Sequence, residues 1–145
     1  MLTPILTVRV RLILLCGEHV LLAYDKEDEV YFLPGGGLEH GESAAACVHR
    51  EINEECDLEL PPNLRPFGLI ENQYSRGDRD IHELLIHFTG ELFAAPPAVA
   101  SREPRLEFSW HSIDKPGVVI WPHATHNAII AARRGHDHFF YEELQ

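Results

Sequence analysis

The alternation of apolar and polar positions predicts β-strands at the start of the chain. Residues 7–15, TVRVRLILL, alternate at first and then become wholly apolar, as in a strand that enters a core. Cys16 and Gly17 follow, and the apolar run EHVLLAY at 18–24 predicts that the two segments form a hairpin. A third short strand is predicted for EVYFLP at 29–34, where a proline ends it.

The pattern changes to a helical period over residues 43–56, which contain no Gly or Pro. Ser43 stands where an N-cap would accept a hydrogen bond from the first turn. At about 100° of rotation per residue, one stripe of this helix is apolar and is expected to face the core. That stripe consists of Ala45, Val48, Ile52 and Cys56.

Strand patterns return in the second half of the chain. Residues 67–75 and 81–93 predict two strands around a turn at Gly77 and Asp78, and a loop rich in Pro and Ala follows at 94–104. The remaining predicted elements are a strand in LEFSWHSID, a helix over 123–135 and a short edge strand in the tail 136–145. Few helices among many neighbouring strands predict one domain, residues 1–145, with a mixed or antiparallel sheet and helices on its faces.

Composition narrows the classes of partner. The net charge of −11 argues against binding a nucleic acid polymer, which depends on Lys and Arg. An anionic substrate is still compatible with this charge if metal cations supply the attraction. The three cysteines form no C-x-x-C pair, which predicts reduced thiols in a cytoplasmic protein. Arg9 and Arg11 interrupt the apolar N-terminal run, so we expect neither a signal peptide nor a membrane span.

The predicted helix carries an unusual cluster of carboxylates. Glu51, Glu54 and Glu55 have i, i+3, i+4 spacing and share one face. Two like charges about 4 Å apart repel by roughly 4 kcal/mol at the effective dielectric of a protein surface. Divalent cations with a preference for hard oxygen ligands, Mg²⁺ or Mn²⁺, would relieve this repulsion. The preceding glycines 35–37 predict a backbone with positive φ that can approach such a cation closely.

The stretch from Pro34 to Leu58 resembles the signature of the Nudix (MutT-like) hydrolase family, G-x5-E-x7-R-E-U-x-E-E-x-G-U, where U is a bulky aliphatic residue. The matching residues are Gly36, Glu42, Arg50, Glu51, Ile52, Glu54, Glu55 and Leu58. Asp57 departs from the signature, because the family has Gly there to end the helix. Since Asp tolerates a left-handed conformation, we expect this change to cost little stability and no chemistry.

The resemblance implies an α/β/α sandwich with a mixed β-sheet. It also implies a hydrolase, dependent on Mg²⁺ or Mn²⁺, that cleaves a phosphoanhydride bond in a nucleoside diphosphate linked to another moiety. An NTP, ADP-ribose, a nucleotide sugar or a dinucleoside polyphosphate would be such a substrate. The alternative is a Nudix domain that senses a nucleotide without cleaving it. Homodimers are common in the family, so a homodimer is possible here.

The resemblance also implies roles for single residues. Glu51, Glu54 and Glu55 would be metal ligands, joined by a backbone carbonyl near Gly36. Arg50 would orient these glutamates, and Glu42 would form an ion pair that braces Arg50. The general base stays open. Glu54 is the candidate on the helix, and the downstream alternatives are Glu71, Glu83, Glu103 and Glu107.

Residues outside the signature are expected to select the substrate. Glu83 begins an apolar strand and could point into the site, and Tyr74, sixteen residues after Leu58, slightly favours dinucleoside polyphosphates by comparison with the family. Both are predicted substrate-binding residues. Any of several aromatic residues could stack on a base or belong to the core: Tyr74, Phe67, Trp110 and Trp121. Cys47 is interpreted as a small buried filler of the helix–sheet interface.

Overall fold

A mixed β-sheet organises the chain. The computed structural model describes residues 1–144, and within them the main sheet has nine strands, with β10-β3-β2-β1-β7-β6-β11 as its path. Strand β4 pairs with β1, strand β9 pairs with β2, and β5 and β8 form a separate two-stranded ladder. The strands are β1 Thr3–Cys16, β2 His19–Asp25, β3 Val30–Phe32, β4 Gly35–Gly37, β5 Cys56–Asp57, β6 Arg65–Arg76, β7 Arg79–Leu92, β8 Ala100–Ser101, β9 Leu106–Ser112, β10 Ile120–Trp121 and β11 Phe139–Leu144. The helices are α1 Ala44–Glu55 and α2 Thr125–Arg133.

The spine of the sheet is the parallel pair of β1 and β7, which runs in unbroken register from Thr3 opposite Arg79 to Cys16 opposite Leu92. Local hairpins supply the antiparallel pairs β1–β2 and β6–β7, as the sequence predicts. The tail forms the predicted edge strand, β11, which lies parallel to β6. Residue 145 of the predicted tail strand lies outside the described residues.

Alternation along β1 divides the core into two layers. Val10, Leu12 and Leu14 pack with α1 on one face of the sheet. Ile13 and Leu15 point the other way and pack with α2. Because successive side chains of a strand point to opposite faces, one fully apolar segment serves both helices. The result is the predicted α/β/α sandwich with a mixed sheet.

Two local predictions for α1 are corrected. The helical period predicts Ala45 in the apolar stripe, but Ala45 is exposed, and Ala44 packs against the core with Cys47, Val48 and Ile52. The error is one of phase: the stripe runs through positions 44, 48 and 52, which differ by four residues, and Cys47 widens it.

The end of α1 also differs from expectation. Asp57 does not adopt a left-handed conformation, because Cys56, at φ −152° and ψ 164°, takes the chain directly from the helix into β5. Asp57 then pairs with Ala100 of β8. The signature glycine is therefore dispensable here, since this chain leaves the helix in an extended conformation that suits any residue.

The cysteine side chains belong to the core. Cys16, Cys47 and Cys56 are free and buried. Burial raises the pKa of the Cys47 thiol to about 11, which suits the predicted role of an unreactive filler. Neither helix within residues 1–144 has the length and apolar character needed to cross a membrane.

A buried histidine makes stability depend on pH. His87 on β7 is 1% exposed, its Nδ1 lies 2.8 Å from the Leu85 carbonyl oxygen, and its Nε2 has no hydrogen-bond partner. Burial lowers the pKa of His87 from 6.5 to about 3. Between these values the unfolded chain binds one proton more than the folded chain, so stability falls as pH falls.

We expect His87 to lower the free energy of unfolding by about 2 kcal/mol between pH 7 and pH 5. Urea unfolding of the wild type and of His87→Leu across this range measures the effect as a difference, which cancels other titrating groups. The matched control is His138→Leu, which removes an exposed histidine and should leave the pH slope unchanged. A wild-type slope in His87→Leu would contradict the assignment.

Candidate active site

A cavity of about 880 Å³ opens on the sheet face that α2 also covers. One end lies against α1 and the glycines of β4, and the other lies against the β2–β3 turn. Strands β1, β6 and β7 form its floor, where most of the lining side chains are charged or polar. Its volume lies within the range of ligand-binding pockets, about 300–1,000 Å³.

Helix α1 brings two carboxylates into the cavity. Ser43 caps the helix as predicted, because its hydroxyl oxygen accepts a hydrogen bond from the Ala46 N–H at 3.1 Å. Glu51 and Glu55, one turn apart, line the cavity. Glu54 lies on the outer side, where its side chain is 57% exposed against 15% for Glu51. The shared face predicted for the three glutamates is therefore divided between the cavity and its rim.

Arg50 joins these carboxylates to the glycine strand. Its guanidinium donates two hydrogen bonds to Glu42, Nε to Oε2 at 2.6 Å and Nη2 to Oε1 at 3.0 Å, which confirms the predicted ion pair. It also donates to the Gly37 carbonyl oxygen at 3.0 Å, to Glu51 at 3.1 Å and to Glu54 at 3.3 Å. The hydrogen bonds from Arg50 lower the pKa of Glu42 to about 2. Arg50 thus fixes the direction of Glu51 and links it to Glu54.

The glycines of β4 make room for Glu51. A Cβ atom on Gly36 would lie 2.3 Å from the Glu51 carboxylate, so only glycine lets that side chain pass across the strand into the cavity. Gly35 has φ 150°, and its Cβ would lie 2.0 Å from the Val10 carbonyl oxygen. The prediction that all three glycines have positive φ is wrong for Gly36 and Gly37: all three pair with β1, and of the three Gly35 alone has a positive φ.

Glu55 is the carboxylate least satisfied by the protein itself. Its Oε2 is buried without a hydrogen-bond partner. Its pKa is raised to about 8, because burial and the nearby charge of Glu51 together outweigh the opposing charge of Arg11. A neutral acid beside a second carboxylate gains from a cation that replaces the proton, so these residues fit a divalent metal.

The protein offers such a cation only part of its coordination shell. Among residues 1–144 no three His, Cys, Asp or Glu side chains are grouped closely enough to hold a metal alone. Mg²⁺ usually binds through one or two carboxylates and keeps its other positions for water and substrate phosphates. Glu51 and Glu55 match that pattern of partial coordination. The backbone carbonyl near Gly36 stays a prediction.

Comparison with known proteins places the chain in a family. The model of the NUDIX domain family matches residues 6–133. The protein belongs to the NUDIX family. This confirms the family, the fold class and the general class of hydrolase predicted from the sequence.

Solved structures with the same NUDIX fold share about a fifth of their residues with this chain. The NUDIX domain of Shewanella oneidensis NrtR complexed with ADP ribose has a TM-score of 0.70 at 19% identity, over 88% of this chain and 86% of that chain. A MutT protein from Bacillus halodurans has a TM-score of 0.64 at 19% identity, over 93% and 86%. A bifunctional NMN adenylyltransferase/ADP ribose pyrophosphatase from Francisella tularensis, complexed with AMP and a Mn ion, has a TM-score of 0.60 at 19% identity, over 88% and 41%.

Two arginines that the sequence analysis does not identify as site residues complete the cavity of this NUDIX protein. The sequence shows Arg9 and Arg11 only as interruptions of an apolar run, whereas in the structure both line the cavity. Arg11 stacks over Phe32, with its guanidinium 5.2 Å from the ring centroid, and Arg9 Nε lies 3.6 Å from Glu83 Oε2. Burial, with the charge of Arg9, lowers the pKa of Arg11. The signal was present in the spacing, because residues two apart in a strand share one face.

Both predicted substrate-binding residues lie on the cavity wall. Glu83 is buried, and its Oε1 accepts a hydrogen bond from Asn72 Nδ2 at 3.0 Å. Tyr74 lies two residues beyond Asn72 on β6, on the same face, and burial raises its pKa. Glu83 is therefore an interior carboxylate that faces Arg9.

The other candidate residues divide into those that line the cavity and those that do not. Glu103 lines the cavity and follows Arg102, whose N–H donates a hydrogen bond to the Glu55 carbonyl oxygen at the end of α1, at 2.8 Å. Glu71 lies outside the cavity lining and contacts His82 Nε2 at 2.5 Å, and Glu107 lies 3.9 Å from Lys26 Nζ. Among the aromatic residues, Trp121 lines the cavity, Phe67 belongs to the core and Trp110 donates its indole N–H to the Pro97 carbonyl oxygen.

An ion-pair cluster braces the end of the cavity away from α1. Arg105 Nε donates to both oxygens of Asp25 at 2.8 and 2.7 Å, and Arg105 Nη2 donates to Asp28 at 2.9 Å. Burial raises the pKa of Asp25, but hydrogen bonds from the Asp28 N–H and from Arg105 outweigh it, and the net pKa is lowered. Arg76, the last residue of β6, donates a hydrogen bond to Asp28 at 2.8 Å. The cluster thus joins the β2–β3 turn, the loop before β9 and the end of β6.

Proposed function

We propose that this NUDIX protein is a Mg²⁺- or Mn²⁺-dependent pyrophosphohydrolase that cleaves a phosphoanhydride bond in a nucleoside diphosphate linked to another moiety. The observation that carries the proposal is the pair Glu51 and Glu55, which face Arg11 in one cavity. Carboxylates suit a cation and guanidinium groups suit phosphate oxygens, so a diphosphate has partners for both its charge and its oxygens. The free buried thiols support the predicted cytoplasmic location.

The residues divide the chemical work. When bound, the cation would shield the negative charge of the diphosphate and promote ionisation of the attacking water. Glu51 and Glu55 would hold it, and Arg50 would keep Glu51 in place. Arg9 and Arg11 would bind phosphate oxygens. A water oxygen then forms a bond to phosphorus, the bridging P–O bond breaks, and a carboxylate accepts the proton.

Three carboxylates are candidates for the general base that accepts a proton from the attacking water. Glu54 is the candidate on the helix, and its exposed carboxylate forms an ion pair with Arg50. Glu83 and Glu103 are the downstream candidates that line the cavity. A base must come within hydrogen-bond reach of the attacking water, and Glu83 lies nearest the Arg9 and Arg11 side of the cavity.

The aromatic residues favour a nucleoside in the remaining space. Phe32, Tyr74 and Trp121 all line the cavity. Aromatic faces bind nucleobases by stacking, with a value of about 1–3 kcal/mol per base in single-strand binding proteins. We infer that the nucleobase of the substrate lies against these rings while its diphosphate lies toward α1.

The test is a substrate panel with product identification. Purified protein with Mg²⁺ or Mn²⁺ is incubated with NTPs, ADP-ribose, nucleotide sugars and dinucleoside polyphosphates, and the products are separated by chromatography. We expect release of a nucleotide from at least one class, and no release after EDTA treatment. Tight nucleotide binding without turnover of any compound would contradict the proposal and would favour the alternative, a nucleotide-sensing domain.

A further inference from the structure

Helix α2 begins without a side-chain cap of its own. Its N-cap residue, Ala124, has φ −65° and ψ −13° and no capping side chain. The carboxylate of Glu143, on β11, takes this role from another part of the chain. Its Oε2 accepts a hydrogen bond from the His123 N–H at 3.0 Å, and its Oε1 accepts one from the Ala124 N–H at 2.7 Å. A negative charge at this position also interacts favourably with the helix dipole.

The sheet places Glu143 next to the cavity wall. Strand β11 lies parallel to β6, with Glu143 opposite Asn72. Residues opposite each other on paired strands point to the same face, and Asn72 lines the cavity. The Glu143 side chain is only 12% exposed. The carboxylate therefore lies in a fixed position between β6 and the start of α2.

The segment that Glu143 holds carries an aromatic part of the cavity lining. The rings of Trp121 and His123 lie 4.2 Å apart between centroids, and His123 Nδ1 lies 3.8 Å from Glu143 Oε2. Trp121 lines the cavity although 37% of its surface is exposed. Strand β10 is only two residues long, Ile120–Trp121, and its pairing with β3 ends at Trp121. Beyond that point the contacts with Glu143 hold the segment.

We propose that Glu143 is a positioning residue for nucleotide recognition: through His123 and the start of α2, it keeps Trp121 in place as an aromatic wall of the cavity. The proposal rests on the proposed function, since it assumes a ligand that contains a nucleobase. An aromatic side chain that is already fixed loses little conformational freedom when a ligand stacks on it, so its contact contributes more to affinity. The last strand of the chain thereby acts on the binding site without touching the ligand.

The first measurement needs no ligand. In a Trp110→Phe background Trp121 is the remaining tryptophan of the two in the chain. We expect Glu143→Ala to raise the quenching of Trp121 fluorescence by acrylamide and to shift its emission to the red. The matched control is Glu142→Ala, which removes the neighbouring, exposed carboxylate of the same strand and should change neither. Circular dichroism establishes that each variant is folded. If Glu143→Ala unfolds, Glu143→Gln replaces it, because glutamine keeps the shape of the side chain.

The second measurement distinguishes a loss of stacking on Trp121 from a general change in the binding site. Dissociation constants for ADP and for inorganic pyrophosphate are measured with Mg²⁺ by calorimetry. We expect Glu143→Ala to weaken ADP binding about tenfold, the scale of one lost base–aromatic stack, with pyrophosphate changed less than about twofold. Loss of a negative charge alone would tighten the binding of both anions.

The outcomes decide between a wall and a general structural contact. Unchanged Trp121 quenching in Glu143→Ala would overturn the proposal, as would equal weakening of ADP and pyrophosphate binding or the same changes in Glu142→Ala. If wild-type protein binds pyrophosphate and not ADP, the proposed nucleotide substrate is wrong, and the quenching measurement alone decides whether Glu143 positions Trp121.

Discussion

Glu55→Gln is expected to abolish turnover while the protein stays folded. Gln has almost the shape of Glu but lacks the charge that would hold a divalent cation beside Glu51. Cation catalysis contributes several kcal/mol, so loss of about 4 kcal/mol would lower kcat by about a thousandfold. Glu54→Gln is expected to abolish turnover as well, as the resemblance to the family implies for all three helix glutamates.

Metal-dependent stability separates a lost ligand from a damaged fold. Addition of Mg²⁺ should raise the unfolding temperature of the wild type, because a ligand that binds only the folded state stabilises it. Glu55→Gln should lose this rise and should be at least as stable as the wild type without cation, because its buried carboxyl no longer lies beside Glu51 as a second acid. The matched control is Glu59→Gln, an exposed glutamate just after the helix. Wild-type turnover in both Glu54→Gln and Glu55→Gln would refute the metal site.

Gly36→Ala is expected to lower kcat/KM by about a hundredfold, the scale of a reacting group misplaced by about 1 Å. The added methyl group would lie 2.3 Å from the Glu51 carboxylate, which must therefore leave its position beside Glu55. Strand β4 itself tolerates alanine at this position, since Gly36 has no positive φ. Steady-state kinetics at saturating Mg²⁺, with circular dichroism to verify the fold, measures the effect.

Gly37→Ala is the matched control for this experiment. A Cβ atom on Gly37 has no neighbour within 4 Å, and the residue lies in the same short strand with the same type of pairing to β1. We expect its kcat/KM to stay within about threefold of the wild type, because nothing near Glu51 moves. Equal losses in the two variants would mean that β4 needs flexible backbone, and would contradict the steric role of Gly36.

The elements that depend on local pattern were predictable from the sequence. Helix α1, its Ser43 cap and the Arg50–Glu42 pair follow from spacing within one short stretch. The hairpins follow from turn residues between apolar runs. Each depends on neighbours in the chain, so no tertiary information is required.

Features set by pairing between distant segments were not predictable. Strand β1 carries Arg9 and Arg11 toward the cavity only because β7 and β4 fix its register, and the sequence does not say which face of a strand borders a cavity. The division of Glu54 from Glu51 likewise depends on how α1 rests on the sheet. Asp57 escaped prediction because its conformation follows from pairing with β8, at positions 100 and 101.

The register of β1 has a consequence for how this protein can vary over evolution. An insertion or deletion that shifts the whole of β1 by one residue against β7 and β4 would turn Arg9 and Arg11 toward α1 and Leu12 and Leu14 toward the cavity face, so the core and the binding site would fail together. Such insertions and deletions should be absent from related sequences in β1. The segment 94–99 carries no strand of the sheet, and related sequences are free to differ there in length.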